Sequence, residues 1–332
     1  MARITILGAG NWGTTMAMVL QRRGHSVSLW EYDRDQAERV NSARVNEKFL
    51  PGHRLPDDLQ ITWNLPRAVQ EAEICLLSVP FQRCRSVLRN VKRLPRGTLV
   101  LSLMKGIEQE TLRRGSQICA EELERFDANS YAILSGPTIA VEVAGGQPTS
   151  AVIASTSQET ATRIQFEFAS PALRLYTSDD VVGVELASAL KNVIALAAGM
   201  CDGMGLGANA KGALLTRGLA EISRLGMALG GDRQTFSGLS GIGDLITTCT
   251  SGASRNRYVG EAIGRGEPPD QVLGRMVMVA EGVWTARAAF GLSQEHSIEM
   301  PITEAVCRIL DGTTCPREAL EELMTRDLKA ED

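Results

Sequence analysis

The amino-terminal end of the chain constrains the fold more than any other part of the sequence. Arg3–Leu7 is a short apolar run typical of a buried strand, and it leads directly into GAGNWG, in which Gly8, Gly10 and Gly13 have the GxGxxG spacing. The following TTMAMVLQRRG has helical periodicity and ends at Gly24, and the next run, SVSLW, alternates like a strand. Strand, glycine turn, helix and strand in this order predict a dinucleotide-binding βαβ unit, whose glycines let the backbone approach a pyrophosphate at the helix N-terminus.

The second strand ends in an acidic segment that bears on the choice of cofactor. Glu31 stands at about the usual distance from the glycines, and a carboxylate there can bond a ribose 2′-hydroxyl and repel a 2′-phosphate. We therefore predict a preference for NAD over NADP, which the nearby Arg34 moderates. An alternative interpretation is that Glu31 and Asp33 only cap the following helix.

Further apolar runs indicate that the sheet continues along the chain. Near-continuous apolar runs between helix-compatible segments are typical of buried parallel strands. They are ICLLSVP (74–80), TLVLSLMKG (98–106), YAILSGP (131–137), TSAVIAS (149–155) and LRLYTS (173–178). Because ligands bind outside the carboxyl ends of such strands, we expect the segments at the ends of the first three runs to surround one crevice. These segments are Ser78-Val79-Pro80, Lys105-Gly106 and Gly136-Pro137-Thr138.

The length and the change of texture near residue 180 predict two domains. A chain of 332 residues is too long for one ordinary hydrophobic core. From about residue 181 onward, long helical patterns rich in Ala, Leu and Gly replace the strand signals. We predict a Rossmann-like α/β domain with a mostly parallel sheet at 1–180 and an all-α substrate-binding and catalytic domain at 181–332.

One lysine lies in an unusual setting. Residues 184–199, VELASALKNVIALAAG, have helical length and are apolar nearly all round, yet Lys191 and Asn192 lie in the middle. Either Lys191 snorkels or pairs structurally, or it lines a cavity and handles a proton. Only six of the 35 basic residues are lysines, and Lys105, Lys191 and Lys211 all fall in apolar or glycine-rich settings. Lysine differs from arginine in that burial can lower its pKa enough for proton transfer.

Charge and cysteine content exclude several classes of partner. The net charge of −4 provides no basic field for nucleic acid or an anionic membrane, so local cations must hold any anionic ligand. Seven cysteines without a CxxC pair predict neither a disulfide framework nor a metal site, and favour a reducing, cytoplasmic compartment. No signal peptide or uncharged spanning run is apparent, and we interpret His25, His53 and His296 as surface or turn residues.

An ordered set of motifs gives the chain a specific resemblance. From residue 8 to 282 the sequence contains GAGNWGT, LSLMKGIE, LSGPTIAVEV, ALKNVIALAAG, DGMGLGANAK, GLSGIGDLITTCTS, SRNR and AEG. In these motifs it resembles the bacterial-type NAD(P)-dependent sn-glycerol-3-phosphate dehydrogenases. The resemblance implies reversible hydride transfer between NAD(P)H and dihydroxyacetone phosphate to give sn-glycerol 3-phosphate, which feeds glycerophospholipid synthesis. It also implies a homodimer.

The resemblance also implies residue roles. Lys191 is the expected general acid/base, and with Asp244, Lys105 and Thr248 it forms the candidate catalytic set. The substrate is expected at Lys105, Gly136, Thr138, Lys191, Asp244, Ser254, Arg255 and Asn256. To the glycines and Glu31, the resemblance adds as cofactor-binding positions Asn11, Trp12, Tyr32, Lys105, Ala140, Arg255, Val279 and Glu281. Many relatives have Arg or His where this chain has Glu31-Tyr32-Asp33, which puts their usual NADPH preference in doubt here.

These residue types suit the chemistry, although several of them also have purely structural interpretations. Ketone reduction delivers hydride to carbon and a proton to the developing alkoxide, so a cation beside that oxygen serves both needs. The forked donors of Arg255 suit a phosphate, and Ser254 and Asn256 can add neutral hydrogen bonds. Alternatively, Arg255 and Arg257 form a solvated face. In the same way, Asp244 can be interpreted as a helix N-cap, Thr248 as a core hydroxyl and Trp12 as a packing residue.

Two other functions stay open at this point. One is a hydroxyacid or ketopantoate-type reductase, which also uses a lysine of a helical domain but need not bind phosphate. The other is a non-catalytic NAD-sensing protein.

Overall fold

A computed structural model of the chain describes residues 1–328, 330 and 331. Lys329 and Asp332, which the predicted helical domain includes, lie outside the described residues. The strands are β1 (Arg3–Leu7), β2 (Ser26–Trp30), β3 (Val45–Asn46), β4 (Leu50–Arg54), β5 (Gln60–Thr62), β6 (Ile74–Leu77), β7 (Leu99–Ser102), β8 (Tyr131–Ser135), β9 (Thr149–Ala154) and β10 (Leu173–Ser178).

The helices of the first half of the chain are short and alternate with the strands. They are α1 (Asn11–Arg22), α2 (Arg34–Ala43), α3 (Leu65–Val69), α4 (Cys84–Val91), α5 (Gly115–Glu122), α6 (Ala140–Ala144) and α7 (Gln158–Phe168). The later helices are α8 (Val181–Gly203), α9 (Ala208–Ala228), α10 (Arg233–Phe236), α11 (Asp244–Thr250), α12 (Arg255–Gly264), α13 (Pro269–Gly274), α14 (Glu281–Glu295), α15 (Pro301–Leu310) and α16 (Pro316–Met324).

The main sheet has eight strands in the order β10-β9-β8-β7-β6-β1-β2-β5. Every neighbouring pair is parallel except β8 and β9, which are antiparallel. Alternate residues of β6 enter separate apolar clusters on the two faces of the sheet, Ile74 and Leu76 on one and Cys75 and Leu77 on the other. Burial on both faces explains the near-continuous apolar runs, and the predicted Rossmann-like, mostly parallel fold is confirmed.

The sequence did not reveal the two-stranded hairpin β3-β4 or the edge strand β5. Both are short and largely polar, so neither has the apolar run that marks the inner strands. Strands β9 and β10 extend the sheet as predicted, but in the direction opposite to β8. His25 follows the turn at Gly24, yet it is buried rather than on the surface, and its Nδ1 accepts a hydrogen bond from the Ala2 N–H (3.2 Å).

Helix α8 connects the sheet to the helical half of the chain. The Asp180 carboxylate caps it by accepting from the Gly183 N–H (2.7 Å). Val181 and Val184 pack with a sheet cluster, whereas the residues from Leu186 onward form the helical core. By length and composition α8 is apolar enough to cross a membrane, but 94% of its most apolar stretch is buried inside the structure, as in a core helix. β10 ends at Ser178 and α8 begins at Val181, and the division of the chain at residue 180 stays a prediction.

Helices α8 and α12 pack with their backbones in contact. A Cβ on Gly260 would lie 1.9 Å from the Leu196 carbonyl oxygen, and one on Gly199 would lie 2.0 Å from the Arg257 carbonyl oxygen. Only glycine permits this approach. It holds α12 against the part of α8 that follows Lys191.

Candidate active site

Two lysines share one buried carboxylate where the strands end. The Lys191 ammonium donates to Asp244 Oδ1 and to Thr248 Oγ1 (2.5 Å), and the Lys105 ammonium donates to Asp244 Oδ2 (2.6 Å). Lys191 and Asp244 are only 5% and 2% exposed. Three elements distant in the sequence thus meet at one carboxylate, so Lys191 is a buried, paired amine rather than a snorkelling one.

The carboxyl ends of the strands place the second lysine. Lys105 follows β7, and its ammonium also donates to the Gly136 carbonyl (3.2 Å) and the Thr138 hydroxyl (3.4 Å), which follow β8. Gly136 has φ +141°, and a Cβ there would lie 3.0 Å from Ala151 Cα, so a side chain would be strained and crowded. The strand-end segments after β7 and β8 therefore lie together.

The environment of the cluster lowers the pKa of both Lys191 and Asp244. Burial lowers the pKa of Lys191 to about 8; Asp244 opposes this shift and Lys105 adds to it. Burial alone would raise the pKa of Asp244, but the two lysines outweigh it and hold that pKa below its usual range. Asp244 is therefore an anion between two amines, and Lys191 titrates close to neutral pH.

The local fold explains why Asp244 points into the site. Asp244 begins α11 after a π-helical turn, Leu239–Gly243, in which a Cβ on Gly241 would lie 2.0 Å from the Phe236 carbonyl oxygen. The N-cap residue of α11 is Gly243 rather than Asp244, and the Asp244 carboxylate accepts hydrogen bonds from the two lysines. Thr248, one turn later, donates to Asp244 Oδ1 (3.2 Å), so its hydroxyl belongs to the polar cluster rather than to an apolar core.

The first turn of α12 carries the candidate phosphate ligand. Ser254 caps the helix by accepting from the Arg257 N–H (3.3 Å). Arg255 is exposed and its guanidinium has no hydrogen-bond or ion-pair partner within the described chain, although surrounding protein lowers its pKa by desolvation and Glu281 partly opposes this. Arg255 is therefore a solvent-accessible cation at the start of α12.

Asn256 connects the first turn of α12 to α8 and α14. Its amide donates to Asn192 Oδ1 (2.9 Å) and accepts from the Gly282 N–H (3.0 Å), and Asn192 in turn donates to the Lys105 carbonyl (3.4 Å). The pair Asn192–Asn256 therefore links α8, α12, α14 and the Lys105 loop. In the sequence Asn192 stands out only as a polar residue in an apolar helix, without a predicted role.

The glycine loop forms a cradle that fits a dinucleotide. Gly8 has φ +111°, and a Cβ there would lie 2.6 Å from the Ser78 carbonyl oxygen, whereas Gly10 faces open space. A Cβ on Gly13 would lie 2.0 Å from the Gly8 carbonyl oxygen, so α1 packs directly on the loop. Asn11 Oδ1 and Trp12 Nε1 are buried without a hydrogen-bond partner among the described residues, as expected of groups that face a polar ligand. Trp12 also packs against a sheet cluster.

The other predicted cofactor positions in the first half of the chain differ in their exposure to solvent. Glu31 is buried, which raises the pKa of its carboxyl, and it accepts from the Asp33 N–H (3.1 Å), while Asp33 caps α2. Tyr32 is exposed, and the Ala140 carbonyl accepts from the Thr15 hydroxyl of α1 (3.3 Å). The helix-capping interpretation thus holds for Asp33 and not for Glu31.

Glu281 and Val279 come from the helical half. Glu281 Oε1 accepts from the Phe81 N–H (2.9 Å), and Oε2 is buried without a partner among the described residues. Burial raises the pKa of Glu281, against the opposing influences of Phe81 and Arg255. Val279 is 38% exposed just before α14. Glu281 therefore joins the helical half to the segment that follows β6.

Two cations singled out by the sequence have structural partners instead. Lys211 pairs with Asp202, and Arg257 pairs with Asp202 (2.7 Å) and Glu261 (3.4 Å). Neither touches Asp244, so among the three lysines in apolar or glycine-rich settings only Lys105 and Lys191 form the central cluster. Within the described residues, no three His, Cys, Asp or Glu side chains are grouped as a metal ion would require.

The residues that hold the Lys105 loop were not predicted from the sequence. The Gln82 amide donates to the Ile107 carbonyl (2.8 Å) and accepts from the Gln109 N–H (3.0 Å), and Arg85 bonds both carboxylate oxygens of Glu108 (3.0 Å each). These contacts leave no local sequence signal, because each partner lies on a separate segment.

Comparisons with known proteins agree with this geometry. Profiles described as the N-terminus and the C-terminus of NAD-dependent glycerol-3-phosphate dehydrogenase match residues 3–161 and 180–321. The chain is 46% identical to glycerol-3-phosphate dehydrogenase [NAD(P)+] of Chlorobium limicola, covering 99% of both chains. It is 47% identical to that of Geobacter sulfurreducens, covering 99% of this chain and 98% of the relative.

Solved structures give the same result. The crystal structure of glycerol-3-phosphate dehydrogenase from Coxiella burnetii superposes with a TM-score of 0.93 and 36% identity, covering 98% of this chain and 99% of that one. A ketopantoate reductase from Ralstonia eutropha has a TM-score of 0.61 at 17% identity, covering 96% of this chain and 99% of that one. The second likeness shows a shared fold alone.

Proposed function

The chain belongs to the family of NAD-dependent glycerol-3-phosphate dehydrogenases, and we propose that its reaction takes place at the cluster of Lys191, Asp244 and Lys105. The protein is an oxidoreductase that transfers hydride between NAD(P)H and dihydroxyacetone phosphate to give sn-glycerol 3-phosphate. The observation that carries the residue assignment is the buried Lys191 amine, whose pKa of about 8 lies close to physiological pH.

Lys191 supplies the proton of the reduction. Bound NAD(P)H supplies the hydride to the carbonyl carbon. The Lys191 ammonium gives one proton to the carbonyl oxygen, which becomes the alcohol, and is left as a neutral amine. In the oxidation direction the neutral amine takes that proton back.

Asp244, Thr248 and Lys105 support this step in different ways. Asp244 and Thr248 accept hydrogen bonds from the Lys191 ammonium and so fix the direction of Nζ. Lys105 is a second cation on the same carboxylate, and it stabilises negative charge that develops on the carbonyl oxygen. Gly136 and Thr138 hold Lys105 in place.

The substrate phosphate binds at the first turn of α12. Among the described residues the forked donors of Arg255 have no hydrogen-bond or ion-pair partner, and the N-terminus of the helix favours an anion. Ser254 caps this turn, and Asn256 positions it against Asn192.

For Arg255→Ala we expect KM for dihydroxyacetone phosphate to rise by about 10- to 100-fold at saturating NADH, because a charge-assisted contact is lost. Initial-rate kinetics measure it, with phosphate-free dihydroxyacetone as the second substrate. Arg257→Ala is the matched control, since Arg257 pairs with Asp202 and Glu261. Equal losses for both substrates would favour a reductase that does not recognise phosphate.

The cofactor is held by Gly8, Gly10, Asn11, Trp12 and Gly13 at the pyrophosphate side. Glu31 and Tyr32 lie at the end of β2, and the remaining positions, Lys105, Ala140, Arg255, Val279 and Glu281, complete the binding surface. The family members are named for both NAD and NADP, and we propose a preference for NAD because Glu31 repels a 2′-phosphate.

We expect kcat/KM to be higher with NADH than with NADPH, and Glu31→Gln to reduce that ratio by about ten-fold, because the charge facing the 2′-phosphate is removed. Parallel initial-rate measurements with both cofactors provide the test. Glu73→Gln removes a partly exposed charge just before β6 that is paired with Arg3 and not with Arg34, and it should leave the ratio unchanged. A wild-type preference for NADPH would show that Glu31 does not select the cofactor.

The test of the function as a whole is spectrophotometric. Purified protein should oxidise NADH only when dihydroxyacetone phosphate is present. If it bound NADH but never oxidised it under these conditions, a sensing role would replace the enzymatic one. We further propose that the product feeds glycerophospholipid synthesis and that the protein is a cytoplasmic homodimer without nucleic-acid or membrane partners. Light scattering measures the oligomeric state.

A further inference from the structure

The side chain of Asn46 is completely buried and bonded on all sides, although it comes from a hairpin that lies outside the main sheet. Asn46 is 0% exposed, and its amide donates to the Ala9 carbonyl (2.8 Å) and to the Thr14 hydroxyl (2.9 Å). Its Oδ1 accepts from the Gln36 amide of α2 (3.2 Å). A two-stranded hairpin is thus joined to the glycine loop through one polar side chain.

The structure of the hairpin directs the Asn46 side chain toward the protein interior. Its register shifts between Val45 and Asn46, an irregularity of the kind that redirects a side chain. Leu50 of β4 is buried in the same sheet cluster as α1 residues. The Arg44 guanidinium ties the base of the hairpin to the carbonyls of Asp57 (2.6 Å) and Leu59 (2.8 Å).

The contact at Ala9 has a direct consequence for Gly10. A trans peptide is planar, so the Ala9 carbonyl and the Gly10 N–H of the same peptide unit point in opposite directions. Asn46 and the Thr14 hydroxyl (3.1 Å) both donate to the Ala9 oxygen and hold it toward the protein interior. The Gly10 N–H then points away from the interior, and it has no hydrogen-bond partner within the part of the chain that the structure describes.

We propose that Asn46 is a positioning residue that orients the Ala9–Gly10 peptide so that the Gly10 N–H donates to the cofactor pyrophosphate. The proposal rests on the proposed function, since it requires a dinucleotide at the glycine loop. Asn46 touches no substrate, and its action is limited to the shape of the loop. Because NADH and NADPH share the pyrophosphate, the residue affects both cofactors alike.

The first test is cofactor binding by Asn46→Ala. Fluorescence titration with NADH and with NADPH measures the two Kd values. The Kd should rise by about ten-fold or more, as expected when a hydrogen bond to a charged group is misaligned. The factor should be the same for NADH and NADPH. The kcat at saturating NADH and the KM for dihydroxyacetone phosphate should stay at the wild-type values. The increase in Tm caused by a fixed NADH concentration should shrink, because weaker binding stabilises the fold less.

Thr14→Val and Arg44→Ala make the result interpretable if Asn46→Ala folds poorly. Thr14→Val keeps the side-chain volume but removes the second donor to Ala9, and it should raise both Kd values in the same direction. Arg44→Ala weakens the base of the same hairpin without a contact to the glycine loop, so it should lower the Tm of the free protein and leave both Kd values unchanged.

The proposal is overturned if Asn46→Ala and Thr14→Val bind NADH with the wild-type Kd. It is also overturned if Arg44→Ala weakens binding as much as they do, since general loosening of the hairpin then explains the effect. A change in the NADH-to-NADPH ratio would contradict it as well. If wild-type protein binds neither cofactor, the proposed function itself fails, which is a separate and distinguishable result.

Discussion

Lys191→Ala is expected to lower kcat for dihydroxyacetone phosphate reduction by about 10² to 10⁴, the contribution usual for a positioned general acid. The fold should survive, because Asp244 keeps Lys105 as its partner and no charge is left unpaired. Initial rates at saturating NADH and thermal unfolding measure the two effects separately. Lys211→Ala is the matched control, since Lys211 belongs to the same half of the chain but pairs with Asp202.

The pH dependence of the wild-type rate gives this prediction a second readout. Reduction needs the Lys191 ammonium, so its rate should be level below about pH 8 and fall as the pH rises through the pKa of about 8. Glycerol 3-phosphate oxidation needs the neutral amine, so its rate should rise through the same range. The residual activity of Lys191→Ala should lack this dependence. A variant that kept both the wild-type rate and the wild-type profile would exclude Lys191 as the proton donor.

Asp244→Asn is expected to produce the second large effect, since it removes the only carboxylate that either lysine contacts in the described structure. Two neighbouring ammonium groups then lose their counter-charge, and the free energy of unfolding should fall by about 3 kcal/mol. Because Asp244 opposes the burial that lowers the Lys191 pKa, its loss should lower that pKa further. At pH 7.5 we expect kcat for reduction to fall by about 10² or more, since less of the amine is protonated and its direction is no longer fixed.

The measurement that identifies this mechanism is the pH profile of Asp244→Asn. The pH at which the reduction rate begins to fall should move below 8. Asp202→Asn is the control, because it also removes a carboxylate shared by two cations, Lys211 and Arg257. It should reduce stability and leave the pH profile in place. A profile of Asp244→Asn identical to that of wild type would show that Asp244 does not set the Lys191 pKa.

The parts of the structure that were predictable depend on signals carried within short stretches. Strands β1 and β2 and the glycines between them were readable because each step of a βαβ unit is specified by neighbouring residues. The runs for β6, β7 and β8 were readable because burial on both faces demands continuous apolar sequence. Their carboxyl ends were overestimated, since apolar loop residues such as Val79 continue the pattern after β6 ends at Leu77.

The parts that were not predictable depend on contacts between distant segments. The hairpin that carries Asn46 has too little apolar sequence to be recognised, and the contact of Asn46 with Ala9 joins residues 37 positions apart. The burial of His25 depends in the same way on Glu167, whose carbonyl lies 2.9 Å from Nε2.

The sequence by itself determined the fold class, the family and the presence of an amine in an apolar helix, because periodicity, glycine spacing and ordered motifs are local properties. Only the tertiary structure decided which charges meet. In that structure Lys105 and Lys191 form salt bridges with Asp244, whereas Lys211 forms one with Asp202. The physical reason is that the energy of a buried charge depends on the groups within a few ångströms, and the close packing of α8, α11 and the end of β7 brings those groups together.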